Sequence, residues 1–416
     1  MLRLGCARRC ITPKTPVRLC GYGTRTGPFE GVAEDLWLRV HALEQDGCRL
    51  VLAYADLLWW NSEFAAEYRP AAEAALGLGA GQLQLVASHN HSGPGTGESF
   101  IAPLETCDAG YRQFLYEQLL AAAAEALGDL EPVEALRYNG ECALNVYRRV
   151  LTGEGVQMWP NYAVPADHHL TLLEYRRPGG SAKGLLVHYP CHANLSNGNL
   201  VQPDYPGAAL RLLEEGMPGC TGLFLQGCTG DLRPNSVLGD RFVPCDYERV
   251  KLFAAAFAQR CQSLLQTGGQ PVAGALGCRT ERLALPLDQP FTRRQAEEAC
   301  QSPDEPTRLW AQKVLQKGLR AEETLEVHLL RIAGQPVYLF NAEVVQSYAA
   351  FARAVCPGAL CAGYANGMIG YLANARQMAE GGYEPAGSAL YFALAGVYSP
   401  RIEPLICDAL ARLAQG

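Results

Sequence analysis

Two kinds of apolar pattern alternate along the chain. Nearly continuous apolar runs, typical of buried strands, cover residues 49–60, 83–88 and 222–231. Other apolar stretches predict strands at 168–176 and 183–193 and a hairpin over 325–343. Apolar positions at helical spacing predict helices at 62–78, 111–127, 205–217, 247–266 and 344–355. Because strands and helices alternate from end to end, we expect an α/β fold with mixed sheets flanked by helices. The sequence shows no internal repeat and no linker, so a single domain is expected over residues 1–416.

Several of these strands end in residues that carry chemistry. His89 and His91 end one strand, His192 and Glu343 end two others, and a glycine turn follows residue 226. In α/β sheets, ligand sites gather beyond the carboxyl ends of strands. An H-x-H pair on a strand places both rings on one face, and imidazole and carboxylate groups are zinc ligands.

An H-x-H pair alone is more often a pair of surface or hydrogen-bonded histidines. The Ser-Gly-Pro-Gly turn at 92–95 favours the metal hypothesis, because a tight turn fixes both rings. His188, four residues before His192, is a second-choice ligand. The sequence therefore predicts a metal site at the strand ends.

Composition excludes some classes of protein. The net charge of −7 argues against nucleic acid or an anionic membrane as the main partner. There is no run of about 18 apolar residues that would predict a transmembrane helix, and the N-terminal residues lack the apolar segment of a secretory signal. The 16 cysteines are scattered without a C-x-x-C pair, which is typical of reduced, buried thiols. We therefore expect a cytoplasmic protein.

Ordered segments spread along most of the chain carry a resemblance to a known family. They are GCARRCITP and LCGYG within 5–23, LRVHALEQDGCRLVLAYADL at 38–57, SHNHSGPG at 88–95, VHYPCHAN at 187–194, DYPG at 204–207, FLQGCTGD at 224–231, FNAEVV at 340–345, GYANGMIGYL at 363–372 and GGYE at 381–384. In this order they resemble the catalytic domain of the neutral, non-lysosomal ceramidases, of which SHNHSGPG is the most specific motif.

The resemblance implies one zinc ion per chain, which acts with its bound water on an amide bond. The implied zinc ligands are His89, His192, Glu343 and Tyr371. His91 is implied to lie beside the metal as a proton shuttle or a substrate contact.

The chain departs from the family pattern where the family carries a serine assigned to the nucleophilic step. Gly227 occupies that position, so zinc-bound water becomes the expected nucleophile, and the backbone N–H groups of residues 227–230 are expected to bind the oxyanion. Cys228 is an alternative nucleophile, although on a strand it points to the other face. The chain is further expected to be a short bacterial-type homologue that lacks the family's C-terminal immunoglobulin-like domain and a leader, which favours a substrate other than ceramide.

Four polar residues complete the expected site. Arg148 and Arg149 are candidates for holding a carboxylate or phosphate, with a structural pair as the alternative. Gln226 and Asp231 flank the glycine turn and are assigned to substrate binding, and Asp231 has a structural role in the turn as its alternative.

The sequence thus predicts a zinc-dependent hydrolase of a small-molecule or lipid-like N-acyl substrate. Two alternatives remain open, namely an esterase or lactonase that uses the same zinc and water, and a catalytically inactive metal- or ligand-binding protein. Nothing in the sequence specifies an oligomeric state.

Overall fold

Three five-stranded sheets form the framework, and each contains the same sequence of elements. In each sheet two antiparallel strands form a hairpin, a helix follows, and the next strand pairs parallel to the second strand of the hairpin. The computed structural model describes residues 1–415. It confirms the expected fold class, a single α/β domain of mixed sheets flanked by helices.

The first sheet has the strand order β5-β4-β3-β1-β6. An Asp46-Gly47 turn with positive φ at both residues joins β3 to β4, as expected for a two-residue hairpin. Helix α1, which is capped by the Asn61 side chain, then leads to β5, parallel to β4. The elements of this part are β1 (Arg3–Cys10), β2 (Gly31–Val32), β3 (Trp37–Gln45), β4 (Cys48–Ala55), α1 (Ser62–Ala75), β5 (Leu83–Ala87), α2 (Ala109–Gly128) and β6 (Glu131–Pro132).

The second sheet has the order β13-β11-β10-β7-β17, and a separate three-stranded sheet, β14-β8-β9, accompanies it. Strand β11 ends before Pro190, earlier than the predicted end at 193, and helix α3 leads to β13. The elements are β7 (Glu134–Glu141), β8 (Asn145–Thr152), β9 (Gly155–Asn161), β10 (His169–Arg176), β11 (Ala182–Tyr189), β12 (Leu200–Val201), α3 (Asp204–Gly216), β13 (Thr221–Gln226), β14 (Leu232–Pro234), β15 (Val237–Leu238), β16 (Arg241–Phe242), α4 (Tyr247–Leu265) and β17 (Gln270–Val272).

The third sheet has the order β22-β20-β19-β18-β24. An Ala333-Gly334 turn joins β19 to β20, and helix α7 leads to β22, parallel to β20. The elements are β18 (Gly277–Asp288), α5 (Arg293–Ala299), α6 (Glu305–Lys317), β19 (Glu322–Ile332), β20 (Gln335–Phe340), β21 (Glu343–Val344), α7 (Gln346–Val355), β22 (Leu360–Ala362), β23 (Tyr371–Leu372), α8 (Ala375–Glu380), a π-helical turn (Tyr383–Gly387), α9 (Ser388–Tyr391), β24 (Val397–Tyr398) and α10 (Ile402–Gln415).

Strand β4 shows why its sequence is apolar at nearly every position. Leu50, Leu52 and Tyr54 pack in one buried cluster, together with the second sheet. Val51 and Ala53 pack in a second cluster on the opposite face, together with helix α2. The first sheet is therefore buried on both faces, as a continuous apolar run predicts.

The ends of the three parallel strands meet in the interior. Val86 of β5 forms a bridge with Ala365, and Gly227, directly after β13, forms a bridge with Ala362 of β22. The loops that follow these strands therefore face one another. No helix among residues 1–415 is both long and apolar enough to cross a bilayer.

Helix α2 packs so closely on β1 that one position admits only glycine. A Cβ atom at Gly5 would overlap the carbonyl oxygen of Ala126. We expect Gly5→Ala to lower the free energy of unfolding by about 2 kcal/mol, the usual cost of overpacking. Gly128→Ala is the control, because a Cβ there meets no atom within 4 Å. Urea unfolding of both variants tests this, and equal stability of the two would contradict the packing.

Candidate metal centre

Three buried histidines bring one ring nitrogen each to a common point. The Nε2 atoms of His89 and His192 are 3.0 Å apart, and Nε2 of His91 lies 3.1 Å from the first and 3.2 Å from the second. Among residues 1–415 these three form the one group of histidine, cysteine or acidic side chains whose ligand atoms are close enough to share a metal ion. The structure thus brings together His89, His91 and His192, which the sequence placed at two strand ends.

The other ring nitrogen of each histidine lies against a backbone carbonyl. Nδ1 is 3.2 Å from the Leu58 oxygen in His89, 3.3 Å from the Gly21 oxygen in His91 and 3.3 Å from the Thr229 oxygen in His192. A carbonyl only accepts, so this partner assigns the hydrogen to Nδ1 and leaves Nε2 as a bare lone pair.

Arg148 also approaches Nδ1 of His192, at 3.4 Å. Even if the guanidinium donates to that atom, two of the three Nε2 atoms stay bare. Burial is the main cause that lowers the pKa of His91 and of His192 well below the usual value, so both rings remain neutral. Bare lone pairs this close repel one another, and a bound cation turns the repulsion into coordination. The donor set therefore fits a metal ion.

Glu343 supplies a carboxylate to the same point. Its Oε1 lies 3.4 Å from Nε2 of His89 and 3.7 Å from Nε2 of His192. That oxygen is buried and has no hydrogen-bond partner among the described residues. An unpartnered buried carboxylate oxygen beside two imidazole nitrogens is the arrangement that a metal ion satisfies.

Tyr371 lies beside Glu343. Strands β21 and β23 pair in parallel with Glu343 opposite Tyr371. The Tyr371 hydroxyl accepts a hydrogen bond of 3.1 Å from Arg148, and burial raises the pKa of this hydroxyl well above its usual value. The structure therefore places Tyr371 next to the carboxylate, where a phenolic oxygen is available as a further ligand.

The H-x-H pair converges for a different reason from the one the sequence predicted. Strand β5 ends at Ala87, so neither histidine lies on a strand. His89 adopts a left-handed conformation with φ of 62°, and the turn brings its ring toward that of His91. Asn90, between them, donates to the Asp56 and Gln202 carbonyls, which locks the turn. The expectation that strand alternation aligns the rings was wrong, and local turn geometry does so instead.

Two groups that sequence reasoning missed hold the histidine rings. The ring of Tyr364 stacks on His89 with centroids 4.0 Å apart, and its hydroxyl bonds Thr229 at 2.6 Å. Thr229 also carries the carbonyl that faces His192. Arg25 is buried, and it donates to the carbonyls of Cys20, His91 and Gly198. Tyr364 lies in a segment singled out by resemblance, whereas no sequence pattern marked Arg25.

The contacts of Gly227 and Cys228 do not favour the predicted chemistry. The Gly227 N–H donates to the Tyr189 carbonyl and the Gly230 N–H to the Val344 carbonyl, so neither is free to bind an oxyanion. The Cys228 thiol is buried and donates to the Cys361 carbonyl. A side-chain contact with the Cys361 thiol, together with burial, raises the pKa of Cys228 well above the usual value. A thiol in this state is a poor nucleophile.

The four residues assigned to substrate binding each form hydrogen bonds with protein groups. Arg149 points away from the metal centre and binds Glu384, Glu380 and the Gly381 carbonyl. Arg148 faces the centre, but its Nε donates to Glu384 at 2.8 Å. The structural alternative for the arginine pair therefore applies to Arg149, whereas Arg148 holds Tyr371.

Gln226 and Asp231 support the loops. The Gln226 amide donates to the Cys191 carbonyl at 2.6 Å. Both oxygens of Asp231 accept hydrogen bonds, one from the Gln346 N–H and one from the Gln377 side chain. Burial raises the pKa of Asp231 to about 6. The assignment of Asp231 to substrate binding stays a prediction, and both of its carboxylate oxygens already accept hydrogen bonds from the protein. The second-choice ligand His188 lies outside the cluster and contacts the Cys361 carbonyl.

Glu384 holds two buried arginines and should be important for stability. Its two oxygens pair separately with Arg148 and Arg149, and all three side chains are almost fully buried. Removal of one partner from a buried ion pair costs about 3–5 kcal/mol. We expect Glu384→Gln to lower the free energy of unfolding by about that amount in metal-free protein.

Glu380→Gln is the matched control for this prediction. Glu380 contacts Arg149 at 3.3 Å but is partly exposed, so its loss should cost less than about 1 kcal/mol. Denaturant unfolding followed by circular dichroism measures both variants. A loss in the Glu380 variant as large as that in the Glu384 variant would contradict the central role of Glu384.

Restoring a serine at position 227 should destabilise the chain. A Cβ there would lie 2.7 Å from the Pro190 Cα. We expect Gly227→Ser and Gly227→Ala to lose the same free energy of unfolding, about 1–3 kcal/mol, because both carry that Cβ. Urea unfolding tests this, and wild-type stability of the serine variant would show that Pro190 yields.

Two solved structures share the fold described above. The neutral ceramidase from Pseudomonas aeruginosa aligns with a TM-score of 0.76 and 18% identity over 100% of this chain and 74% of that chain. A ceramidase complexed with C2 aligns with a TM-score of 0.76 and 17% identity over 99% of this chain and 74% of that chain. No protein-family profile and no curated protein sequence matches this chain. The chain thus has the fold of the neutral ceramidases.

Proposed function

We propose that this protein is a zinc-dependent hydrolase that cleaves the amide bond of an N-acyl substrate and is a relative of the neutral ceramidases. One observation carries the proposal, namely that two imidazole nitrogens and an unpartnered carboxylate oxygen meet at a buried point, with a third imidazole beside them. The fold that this chain shares with two ceramidases supports the reaction class, because ceramidases cleave an amide bond. The ordered sequence motifs support the relationship.

The proposed ligands are His89, His192 and Glu343, with Tyr371 beside them. The side chains of the first three are almost fully buried, and their donor atoms lie 3.0–3.7 Å apart. Nitrogen and carboxylate oxygen donors in this number are typical of zinc sites. When bound, zinc polarises a substrate carbonyl and makes water a stronger nucleophile near neutral pH.

His91 has a different role in this proposal. It is 9% exposed, whereas His89 and His192 are 1% exposed, so it is the histidine of the cluster that lies on the open side. Its Nδ1 faces the Gly21 carbonyl, which leaves Nε2 free to accept a proton. We assign to His91 the removal of a proton from the attacking water and its return to the departing amine.

Water is the proposed nucleophile because the neighbouring side chains offer no substitute. Position 227 has no side chain, and the Cys228 thiol is buried and held in its neutral form. Arg148 acts indirectly, since it anchors the Tyr371 hydroxyl at 3.1 Å. The chain's own contribution is therefore to position the ligands, accept the proton at His91 and keep bulk water out.

We also propose that the protein works in the cytoplasm. All 16 cysteines are free thiols, and 9 of them are buried. Thiols persist in reducing compartments, so this state supports the assignment.

Metal analysis tests the centre directly. We expect about one zinc ion per chain in wild-type protein purified without chelator. We expect almost none in His89→Ala, because the remaining ligands cannot make up for the lost imidazole nitrogen. His169→Ala is the control, since His169 is exposed and lies outside the cluster. Mass spectrometry of metal content decides, and a zinc-free wild type after a zinc reload would overturn the proposal.

The role of His91 is separable from metal binding. We expect His91→Ala to retain most of the zinc but to lose roughly 100-fold or more in kcat on N-acyl substrates, because general-base catalysis contributes 10²–10⁴-fold. The measurements are zinc content and amide hydrolysis by the same preparation. Loss of zinc in this variant would make His91 a ligand and refute the assignment as a base.

A further inference from the structure

Arg233 lies next to the metal centre and has no counter-ion. It belongs to β14, where it pairs with Val146 of β8, two residues before Arg148. It forms no ion pair with any acidic side chain among residues 1–415, in contrast to Arg148 and Arg149. Its Nε is buried and has no hydrogen-bond partner among the described residues.

The immediate surroundings of Arg233 are apolar. Its guanidinium carbon lies 4.7 Å from the centroid of the Phe242 ring, so an aromatic face covers one side. Its one polar contact is from an Nη atom to the Met158 sulfur at 3.8 Å, and a thioether is a weak acceptor. Arg233 is partly exposed and lacks an acidic partner, so its guanidinium can reach an anionic ligand.

Strand pairing places Arg233 on the face of the sheet that Arg148 uses. Arg233 lies opposite Val146, and residues two apart on a strand, such as Val146 and Arg148, project to the same face. Arg148 lies 3.4 Å from Nδ1 of His192 and donates to the Tyr371 hydroxyl at 3.1 Å. Arg233 therefore lies on the same face as the metal centre.

Arg25 shows that lack of an acid alone does not mark a binding residue. Arg25 also has no acidic partner, but it donates to three backbone carbonyls. Arg233 donates to none. Its Nε and an adjacent Nη form the planar edge that binds a carboxylate through two parallel hydrogen bonds.

We propose that Arg233 binds a carboxylate group of the substrate, so that the substrate is an N-acyl compound that carries a carboxylate. This inference rests on the proposed hydrolase function and adds the substrate class to it. A carboxylate matches Arg233 better than a phosphate monoester does, because one unpaired guanidinium balances one negative charge. Met158, which is 37% exposed, and Phe242 offer apolar contact to the carbon chain beside that carboxylate.

A binding experiment tests the carboxylate preference without turnover. The probes are two hydroxamates that bind zinc and differ only in a terminal carboxylate or its methyl ester, measured by calorimetry on zinc-loaded protein. We expect wild-type protein to bind the carboxylate form about 10- to 100-fold more tightly, the range for a charge-assisted hydrogen-bonded contact. Arg233→Met should bind both probes equally.

Arg241→Met is the matched control. Arg241 is exposed, pairs with Asp240 and stacks on Trp159, so its loss changes the charge of the same surface without removing Arg233. We expect this variant to keep the wild-type preference. Zinc content and the urea midpoint of each variant show whether it is folded, and Arg233→Lys, which retains the charge, should keep part of the preference.

Each possible result either supports or overturns the inference that Arg233 binds a carboxylate. Equal binding of the two probes by wild-type protein, or the same loss in the Arg241 variant, would overturn the inference. Tighter binding of a phosphonate probe than of the carboxylate would overturn the choice of carboxylate.

Hydrolysis shows which side of the amide carries the charge. The first pair tests a carboxylate on the amine side and consists of N-acetylglycine and its uncharged amide. The second pair tests a carboxylate on the acyl side and consists of N-succinyl-methylamine and the uncharged N-butyryl-methylamine. If no amide is cleaved but the binding preference persists and depends on Arg233, the hydrolase proposal fails and the carboxylate site stands.

Discussion

The repulsion between buried imidazole lone pairs is the constraint on which the centre depends. Nε2 atoms of His89, His91 and His192 lie within 3.2 Å of one another at a point with almost no solvent. Backbone carbonyls from three separate loops fix this orientation by binding Nδ1. The fold therefore holds an arrangement that is unfavourable without a cation, and the rigidity of those loops determines how strongly a cation is bound.

Buried charge pairs supply that rigidity. Glu384 neutralises Arg148 and Arg149, and through Arg148 it fixes the Tyr371 hydroxyl. At the base of the H-x-H turn, Arg39 forms ion pairs with Asp56 and Glu214. The backbone carbonyl of Asp56 accepts a hydrogen bond from the Asn90 side chain. Such pairs contribute little net stability compared with apolar packing, but loss of one member leaves an uncompensated charge. They make the loop geometry specific.

The sequence predicted the elements well because burial leaves a direct mark on it. The predicted helices over 62–78, 111–127 and 205–217 correspond to α1, α2 and α3, and the apolar run that contains β4 is explained by burial on both faces. The repeated order of hairpin, helix and parallel strand left no mark, because each sheet packs against different neighbours and so selects different side chains. Backbone topology can recur while the pattern of residues does not.

The candidate site could be located from sequence but not assembled. His89 and His192 each follow a strand, Glu343 begins the short strand β21 after β20, and strand ends indicate where ligands gather. The left-handed φ of His89 was hidden, since it depends on tertiary contacts of the turn.

The arginines also could not be assigned from sequence, and this changes which residue is proposed to bind the substrate. A sequence pattern does not reveal whether a guanidinium has a partner, so Arg148 and Arg149 were assigned to substrate while Arg233 was overlooked. In the fold, Glu384 pairs with the first two, whereas no acidic side chain among residues 1–415 pairs with Arg233. Satisfied charges maintain the architecture, whereas an arginine without an acidic partner beside the candidate metal centre is available to a ligand. The proposed roles of His91 and Arg233 both follow from this criterion.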